Sequence, residues 1–228
     1  MSPDHSYLAL ILDAPLESWG FASRFQRRTT ELHPTKSGVI GLICAAMGVA
    51  KGSDAEHEIL PQLAALRMTS IVLPRYPIRR IEDFHTVLKT RRASGSINPD
   101  PVVTRRQYLV DACFGIILNG DQVLLTRVAR ALQDPIWGVW LGRKSCIPAR
   151  PIFVALCQTG EEGWQAILRA LGTDEALPIA TFTRVEDVDD FAKGTDSYSD
   201  QPVSFGQQDS SSEGRVYAVR RVRLTPRA

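Results

Sequence analysis

Two strand–helix–strand patterns constrain the fold of this chain more than any other feature of its sequence. In the first, an apolar strand at residues 6–15 leads to a helix at about 36–49 and then to a strand at 67–73. The same order recurs with a strand at 107–120, a helix, and a strand at 151–157. Uninterrupted apolar runs are typical of strands that are covered on both faces. The order predicts an α+β fold with a ferredoxin-like (RRM-like) β-α-β-β-α-β body.

The chain between the two patterns is poorly suited to a packed core. Residues 75–106 include the segment SGSINPDP at 94–101, which is rich in turn-forming residues. Long polar excursions between strands usually project from the surface and carry function. We therefore expect a projecting β-hairpin at about 75–106.

The C-terminal third is less regular than the rest. It offers an amphipathic segment at 162–172 and strand candidates at 178–184 and 215–224, and its polar composition at 196–215 predicts a mobile segment. The expected organisation is a first domain over residues 1–158, which includes the hairpin, and a smaller, irregular, β-containing extension over 159–228 that packs on it.

Charge is distributed unevenly, although the net charge is only +2. Eight basic and three acidic residues lie between Arg75 and Arg106, whereas six acidic residues and one lysine lie between Glu186 and Asp200. Such asymmetry is typical of a protein with one face that meets a polyanion. A solvated basic loop would have the same composition, so charge alone leaves both interpretations open.

Several classes of protein are disfavoured by composition. The apolar runs are too short for a membrane helix, and the N-terminal segment lacks the basic region of a signal peptide, so we expect no membrane partner. The four cysteines form no Cys-x-x-Cys pair, which predicts buried reduced thiols and a cytoplasmic location. The four histidines are scattered, so neither a metal site nor another cofactor is expected.

The segment PTKSG at 34–38 opens the first helix with features of an anion site. It is not a nucleotide-binding P-loop, because no glycine lies between Gly20 and Gly38. Free backbone amides at a helix N-terminus, together with Lys36 and Ser37, could nevertheless hold a phosphate. Ordinary capping by Thr35 or Ser37 explains the same residues and is favoured by the local sequence alone.

Further basic residues accompany the predicted strands. Arg24, Arg27 and Arg28 lie in a loop that is short of acids, and Arg105 and Arg106 precede a strand that carries Tyr108. Arginines could follow an RNA backbone, and a tyrosine could stack on a base or pack in the core. We interpret two further aromatic residues, Trp137 and Trp140, as packing residues.

A second interpretation makes the chain an enzyme. Metal-independent RNA cleavage needs an acid or base near the 2′-hydroxyl and cations for the developing charge. His85, Lys89 and Tyr108 could supply those groups. Lone histidines are more often structural, so catalysis is the alternative hypothesis.

Five segments together resemble a known family. They are LILDAPLESWG, HPTKSGVIGLICAAMG, DFHTVL, TRRQYLVDACFGIIL and WLGRKSCIPARPIF, and they follow one another in order within residues 6–157. They resemble the CasD family of Cascade subunits, which belongs to the repeat-associated mysterious protein superfamily of type I-E CRISPR effector complexes. The resemblance implies a ferredoxin-like body with a hairpin thumb, here 75–106, that holds the 5′ handle of the CRISPR RNA without cleaving it.

The same resemblance implies partners and contacts. The partners are the CRISPR RNA, the Cascade backbone subunit whose filament is capped, the large subunit, and target DNA in the assembled complex. A type I-C relative cleaves its RNA, which keeps the endoribonuclease alternative open. The candidate RNA-binding residues are Trp19, Gly20, Arg24, Arg27, Arg28, Thr35, Lys36, Ser37, Gly38, His85, Arg91, Arg92, Arg105, Arg106, Tyr108, Arg143 and Lys144.

Overall fold

The computed structural model describes residues 5–20, 26–73, 77–92, 94–173, 177–206 and 215–227. These residues form four α-helices and two β-sheets. In chain order the elements are β1 His5–Asp13, β2 Leu16–Glu17, β3 Arg27–Arg28, α1 Lys36–Ala46, α2 Asp54–Ala65, β4 Arg67–Val72, β5 Arg79–Val87, β6 Val102–Val110, β7 Cys113–Asp121, α3 Gln122–Gln133, β8 Phe153–Cys157, α4 Gly160–Ala170, β9 Arg184–Asp187, β10 Asp196–Ser204 and β11 Val216–Thr225.

The larger sheet has seven strands in the order β10-β11-β9-β4-β7-β1-β8. Every neighbouring pair in it is antiparallel. The apolar strand β1 lies between β7 and β8, and its side chains alternate between the two faces of the sheet. Leu8, Leu10 and Leu12 pack with α1, α2 and α3, whereas Ala9 and Ile11 pack with α4. Both faces are therefore covered, as the apolar run predicts.

The smaller sheet contains the hairpin. Strands β5 and β6 pair along their whole length from Arg79↔Val110 to Val87↔Val102. Strand β6 also pairs with the short strands β2 and β3, so it is the central strand of this sheet.

The single strand predicted at 107–120 is in fact two strands in different sheets. Strand β6 ends at Val110, Asp111 has a positive φ of 52°, and β7 begins at Cys113. One residue in the left-handed conformation turns the chain from the hairpin into the large sheet. The apolar pattern continues across this turn because Tyr108, Leu109 and Ala112 all pack in the core.

The C-terminal elements differ from the predicted ones. Strand β9 starts at Arg184, where the predicted strand 178–184 ends, and β11 agrees with the strand predicted at 215–224. The polar segment contains the nine-residue strand β10, and residues 207–214 lie outside the described part. Strands β9, β11 and β10 continue the large sheet from the edge of β4, and β10 also contacts α1 and α2.

Three findings concern membrane helices, metal sites and cysteines. No helix in the described part of the chain is long and apolar enough to cross a membrane. Among the described residues, no group of three or more His, Cys, Asp or Glu side chains could hold a metal ion. Three of the four cysteines are buried, and burial raises the pKa of Cys44 to about 12.

Candidate nucleic-acid interface

Four arginines meet about midway along the hairpin, and we call them the arginine ladder. Strand β3 pairs in parallel with β6, with Arg27 opposite Arg105 and Arg28 opposite Arg106. Strands in a sheet lie about 4.8 Å apart, and paired residues present their side chains to the same face. The pairing therefore places one pair of guanidinium-bearing side chains on each face of the small sheet.

An exposed aromatic ring adjoins the ladder. Phe84 lies opposite Arg105 in the hairpin, and the Arg105 guanidinium lies 5.2 Å from the centre of the Phe84 ring. The ring is 61% exposed. Phe84 is absent from the predicted contacts, although its position beside His85, which was predicted to bind RNA, could have indicated it. On the other face, Asp83 is the cross-strand partner of Arg106.

Arg143 has a structural role that differs from the predicted phosphate contact. It donates hydrogen bonds to the carbonyl oxygens of Gln107 at 2.7 Å and of Arg28 at 3.0 Å. Its guanidinium also lies 4.6 Å from the centre of the Tyr108 ring, which is only 6% exposed. Arg143 therefore holds β3 and β6 together, and Tyr108 is a core aromatic covered on one face.

The outer part of the hairpin presents further exposed cations. Arg91 and Arg92 lie in the connection between β5 and β6, and Arg92 donates a hydrogen bond to Asn98 at 3.0 Å. At the other end of β5, Arg79 forms an exposed ion pair with Asp111 at 3.2 Å. Basic side chains therefore occur from the base of the hairpin to its tip.

The start of α1 does not present the predicted anion site to solvent. Thr35 caps the helix by accepting a hydrogen bond from the Gly38 amide, and the Lys36 amide donates to Asp200 at 2.8 Å. The Lys36 ammonium is 2.9 Å from Asp187. Thr35, Lys36 and Ser37 are all buried, so carboxylates of the protein itself occupy the place that was expected for phosphate.

Four charged side chains form a buried cluster at this point, which we call the ion cluster: Lys36, Asp187, Asp200 and Arg220. Arg220 bonds both carboxylates and contacts Asp200 through two nitrogens, at 2.6 and 2.9 Å. Burial lowers the pKa of Lys36, and the negative charge of Asp187 opposes that shift. The acidic C-terminal stretch thus supplies two of its carboxylates to the interior, where they join β9, β10 and β11 to α1.

The segment around Trp19 is also buried. Trp19 is 1% exposed, and its indole donates to Glu17 at 2.7 Å. Burial raises the pKa of Glu17 well above its usual range, although the indole hydrogen bond acts in the opposite direction. Trp19 is therefore a core residue rather than a surface contact, whereas Gly20 is exposed. Arg24 lies outside the described residues.

The three residues of the catalytic alternative are not brought together. His85 pairs with Thr104, and Ile81 pairs with Tyr108, so four residues along the strand separate His85 from Tyr108. At about 3.3 Å per residue this separation is about 13 Å. Lys89 is exposed and lies beyond the end of β5. A general acid and base for one substrate would have to be within hydrogen-bonding reach of the same atoms.

Two tryptophans are exposed, contrary to their interpretation as packing residues. Trp137 is 44% exposed and Trp140 is 36% exposed, and both lie in the loop between α3 and β8. Lys144 is exposed in the same loop.

Comparison with known proteins gives concordant results. The family described as "CRISPR-associated protein (Cas_Cas5)" matches residues 7–223. The CRISPR system Cascade subunit CasD of Escherichia coli (strain K12) is 30% identical over 164 residues, which cover 68% of this chain and 73% of that relative.

Solved structures agree with this match. A chain from a "CRISPR RNA-guided surveillance complex" has a TM-score of 0.73 and 26% identity, and the match covers 97% of this chain and 90% of that one. A chain described as "Crystal structure of Cas protein" has a TM-score of 0.64 and 28% identity, with 97% and 95% covered. The resemblance indicated by the five sequence segments is confirmed, and this chain belongs to the CRISPR-associated protein (Cas_Cas5) family.

Proposed function

We propose that this chain is a non-catalytic RNA-binding subunit of a type I-E CRISPR effector complex, in which it holds the 5′ handle of the guide RNA. The arginine ladder carries this proposal. Arg106 has Asp83 as a cross-strand partner. Arg27 and Arg105, in contrast, are like charges directly opposite each other, which destabilise a sheet unless counter-ions neutralise them. The phosphates of an RNA strand supply such counter-ions, and arginine binds phosphate through two parallel hydrogen bonds.

The hairpin extends the same surface. Its exposed Arg91 and Arg92 continue the positive potential from the ladder toward the tip. A strand of RNA that follows these residues would release bound counter-ions, which makes the affinity strongly dependent on salt. We exclude from the proposed contacts the side chains that are buried or held by partners within the protein, namely Lys36, Thr35, Ser37, Trp19, Tyr108 and Arg143.

We also propose a ferredoxin-like body in the finer sense. The order β4-β7-β1-β8, with α1 and α2 between β1 and β4 and with α3 between β7 and β8, supports this topology. We retain the first domain at 1–158 as a proposal. The extension 159–228 would be an outgrowth of the same sheet rather than an independent unit, because β9 pairs with β4.

The proposed partners follow from family membership. They are the guide RNA, the backbone subunit, the large subunit and, in the assembled complex, target DNA. The complex would act in the cytoplasm, where the guide is transcribed.

The absence of RNA cleavage is part of the proposal and has its own test. The separation of His85 from Tyr108 supports it. Labelled repeat RNA is incubated with the purified chain in EDTA, and we expect it to remain intact. Specific cleavage that is lost in His85→Ala would establish the endoribonuclease alternative.

The RNA-binding proposal is tested by removing charge from the ladder. Arg27→Ala/Arg105→Ala removes two exposed charges, and Arg127→Ala/Arg130→Ala removes two exposed charges from α3 as a matched control. Each variant is co-expressed with the other subunits and a guide transcript, and the RNA bound to the purified complex is quantified. We expect reduced guide content in the ladder variant alone. Equal guide content in both variants contradicts the proposal.

A further inference from the structure

The loop that joins α3 to β8, residues 134–150, carries an unusual concentration of exposed apolar side chains; we call it the tryptophan loop. Ile136 is 68% exposed and Ile147 is 61% exposed, in addition to the two exposed indoles. The other two tryptophans of the chain, Trp19 and Trp164, are 1% and 0% exposed. The tryptophans therefore divide into one buried pair and one accessible pair.

The loop is held in place by its backbone. The amides of Ile136 and Trp137 donate to the last turn of α1, at Ala46 and Ala45, over 2.9 and 3.3 Å. The Trp140 ring lies over Gly138, where a Cβ would stand 2.7 Å from the indole. These contacts position both indoles on a fixed backbone.

The second half of the loop is tied to the body. The Leu141 amide donates to Cys146 at 2.9 Å and closes a turn, which places Trp140 and Ile147 on either side of it. Gly142 has a φ of 103°, and a Cβ there would overlap the Ser18 carbonyl oxygen. A side chain larger than hydrogen is therefore excluded at this crossing.

The tryptophan loop continues the surface of the arginine ladder. Arg143, which donates to the Arg28 carbonyl oxygen, is three residues from Trp140 in sequence. Three residues span at most about 11 Å, so Trp140 lies within that distance of the Arg143 backbone, and the Arg143 side chain contacts both β3 and β6. The loop carries three basic residues and a single acid, Asp134. Arg143 is bonded to backbone carbonyls and Arg150 pairs with Asp13 at 3.4 Å, so exposed Lys144 and the nearby ladder supply the accessible positive charge.

We propose that Trp137 and Trp140 form a stacking platform for unpaired bases of the RNA strand whose phosphates contact the arginine ladder. This inference rests on the proposed function and adds a second kind of contact to it. Aromatic side chains beside a cationic track are the usual means of holding a single strand without reading its sequence. Exposed Lys144 follows Arg143 in the same turn, where a phosphate of the same strand would pass.

A protein partner is the competing occupant of these apolar side chains, and the arginine ladder, to which Arg143 joins the loop, favours nucleic acid. The segment WGVWLGRK places both accessible indoles within seven residues of Lys144, and the aliphatic Leu141 between them and Lys144 is fully buried. Indole rings also provide flat faces that match a base.

Intrinsic fluorescence tests the platform directly, because the accessible indoles are only Trp137 and Trp140. The full chain is titrated with unlabelled single-stranded RNA of the guide sequence, with the same sequence as a blunt duplex, and with single-stranded DNA. We expect quenching by the RNA strand, weaker quenching by the duplex whose bases are stacked, and no quenching in Trp137→Leu/Trp140→Leu. The DNA arm shows whether the 2′-hydroxyl contributes to selection. Absence of quenching by the RNA strand overturns the inference.

Affinity measurements on the assembled complex separate this inference from the proposed function. Loss of a stacked base lowers affinity about fivefold to 140-fold. We expect such a loss in Trp137→Leu/Trp140→Leu and substantial recovery in Trp137→Phe/Trp140→Phe, which retains ring faces. A loss in Arg27→Ala/Arg105→Ala without any loss in the leucine variant overturns the platform and leaves the proposed function intact.

Two other outcomes are also decisive. No loss in either variant overturns both proposals. Release of a protein subunit by the leucine variant, at unchanged RNA affinity, assigns the loop to protein docking and overturns the platform.

Discussion

Lys36 and Arg105 illustrate how burial decides the role of a basic residue in this protein. Both were expected to contact phosphate. Lys36 is 4% exposed and paired with Asp187, whereas Arg105 is exposed beside Phe84. A buried charge that loses its partner is strongly unfavourable, so the ion cluster must remain intact for the fold. Only the exposed arginines are free to exchange water for phosphate.

The ion cluster predicts a large difference between two aspartates of the same acidic stretch. Asp200→Ala leaves Arg220 buried with one carboxylate fewer, and we expect a loss of about 3–5 kcal/mol in the free energy of unfolding. Asp189 pairs with Arg67 at the surface, with side chains 76% and 53% exposed, and Asp189→Ala should cost at most about 1 kcal/mol. Urea unfolding of both variants measures the difference, and similar losses would show that the cluster contributes little.

The lowered pKa of the buried His33 side chain predicts that the stability of the protein depends on pH. Burial, and then the charge of Arg220, lower its pKa from 6.5 to about 4. Because the unfolded chain takes up a proton near the ordinary pKa and the folded chain does not, stability falls as the pH drops from about 6.5 toward 4.

Replacement of His33 isolates this effect. The difference in unfolding free energy between His33→Gln and the wild type should be constant above about pH 7 and should shift in favour of the variant as the pH falls to 4. Unfolding curves at several pH values measure it. A difference that does not change with pH would show that His33 titrates normally.

At the level of elements, the tip of the hairpin can be deleted without removing the paired strands β5 and β6. Val87 and Val102 are direct cross-strand partners, so two residues in a type I′ turn can join them. The ladder at Arg105 and Arg106 lies below this point, and Arg91 and Arg92 lie above it.

This arrangement predicts the effect of shortening the hairpin. Replacing residues 88–101 with Asn-Gly should leave the thermal unfolding temperature of the body nearly unchanged, because the removed residues lie outside both core clusters. RNA affinity should fall, since Arg91 and Arg92 are removed, but less than in a variant that lacks the ladder. Filter binding and calorimetry measure the two effects. Unchanged affinity would exclude the tip from the interface.

Gly142, where the tryptophan loop passes the Ser18 backbone, gives a second prediction at the scale of elements. Gly142→Ala combines a positive φ with overlap at Ser18, whereas Gly172→Ala has a positive φ of 78° and open space around it. The strain of the left-handed conformation alone is about 1–2 kcal/mol. We expect Gly142→Ala to lose clearly more than this amount in urea unfolding, and equal losses in the two variants would show that the crossing is loosely packed.

Sequence patterns predict the elements of this protein better than they predict its side-chain partners. Apolar runs locate β1, α1 and β8 because burial determines both the pattern and the element. The strand β10 has no such run, since contacts with β11, α1 and α2 support it. Lys36 and Asp187 are 151 residues apart, and no local signal connects them.

The candidate site shows the same limit. The basic residues of the ladder are visible in the composition, but their pairing depends on β3 joining β6 in parallel. The exposure of Phe84, Trp137 and Trp140 depends on tertiary packing. Aromatic residues are more often buried, so a sequence-based interpretation places them in the core by default.

At the level of the whole molecule, acidic and basic regions have separate roles. The acidic stretch joins the C-terminal strands to the body through Asp187 and Asp200, which removes part of its negative charge from the surface. The hairpin and its base keep exposed arginines. This separation leaves a cationic surface on a chain whose net charge is only +2.

The salt dependence of guide RNA affinity tests the central claim most directly. It is measured in the assembled complex for the wild type, Arg27→Ala/Arg105→Ala and the control Arg127→Ala/Arg130→Ala. Each phosphate contact to a single strand contributes about 0.7 to the slope of log affinity against log salt concentration. We predict that the ladder variant has a slope shallower by about 1.4 and that the control matches the wild type. Identical slopes for all three proteins would show that the arginine ladder does not bind the RNA backbone.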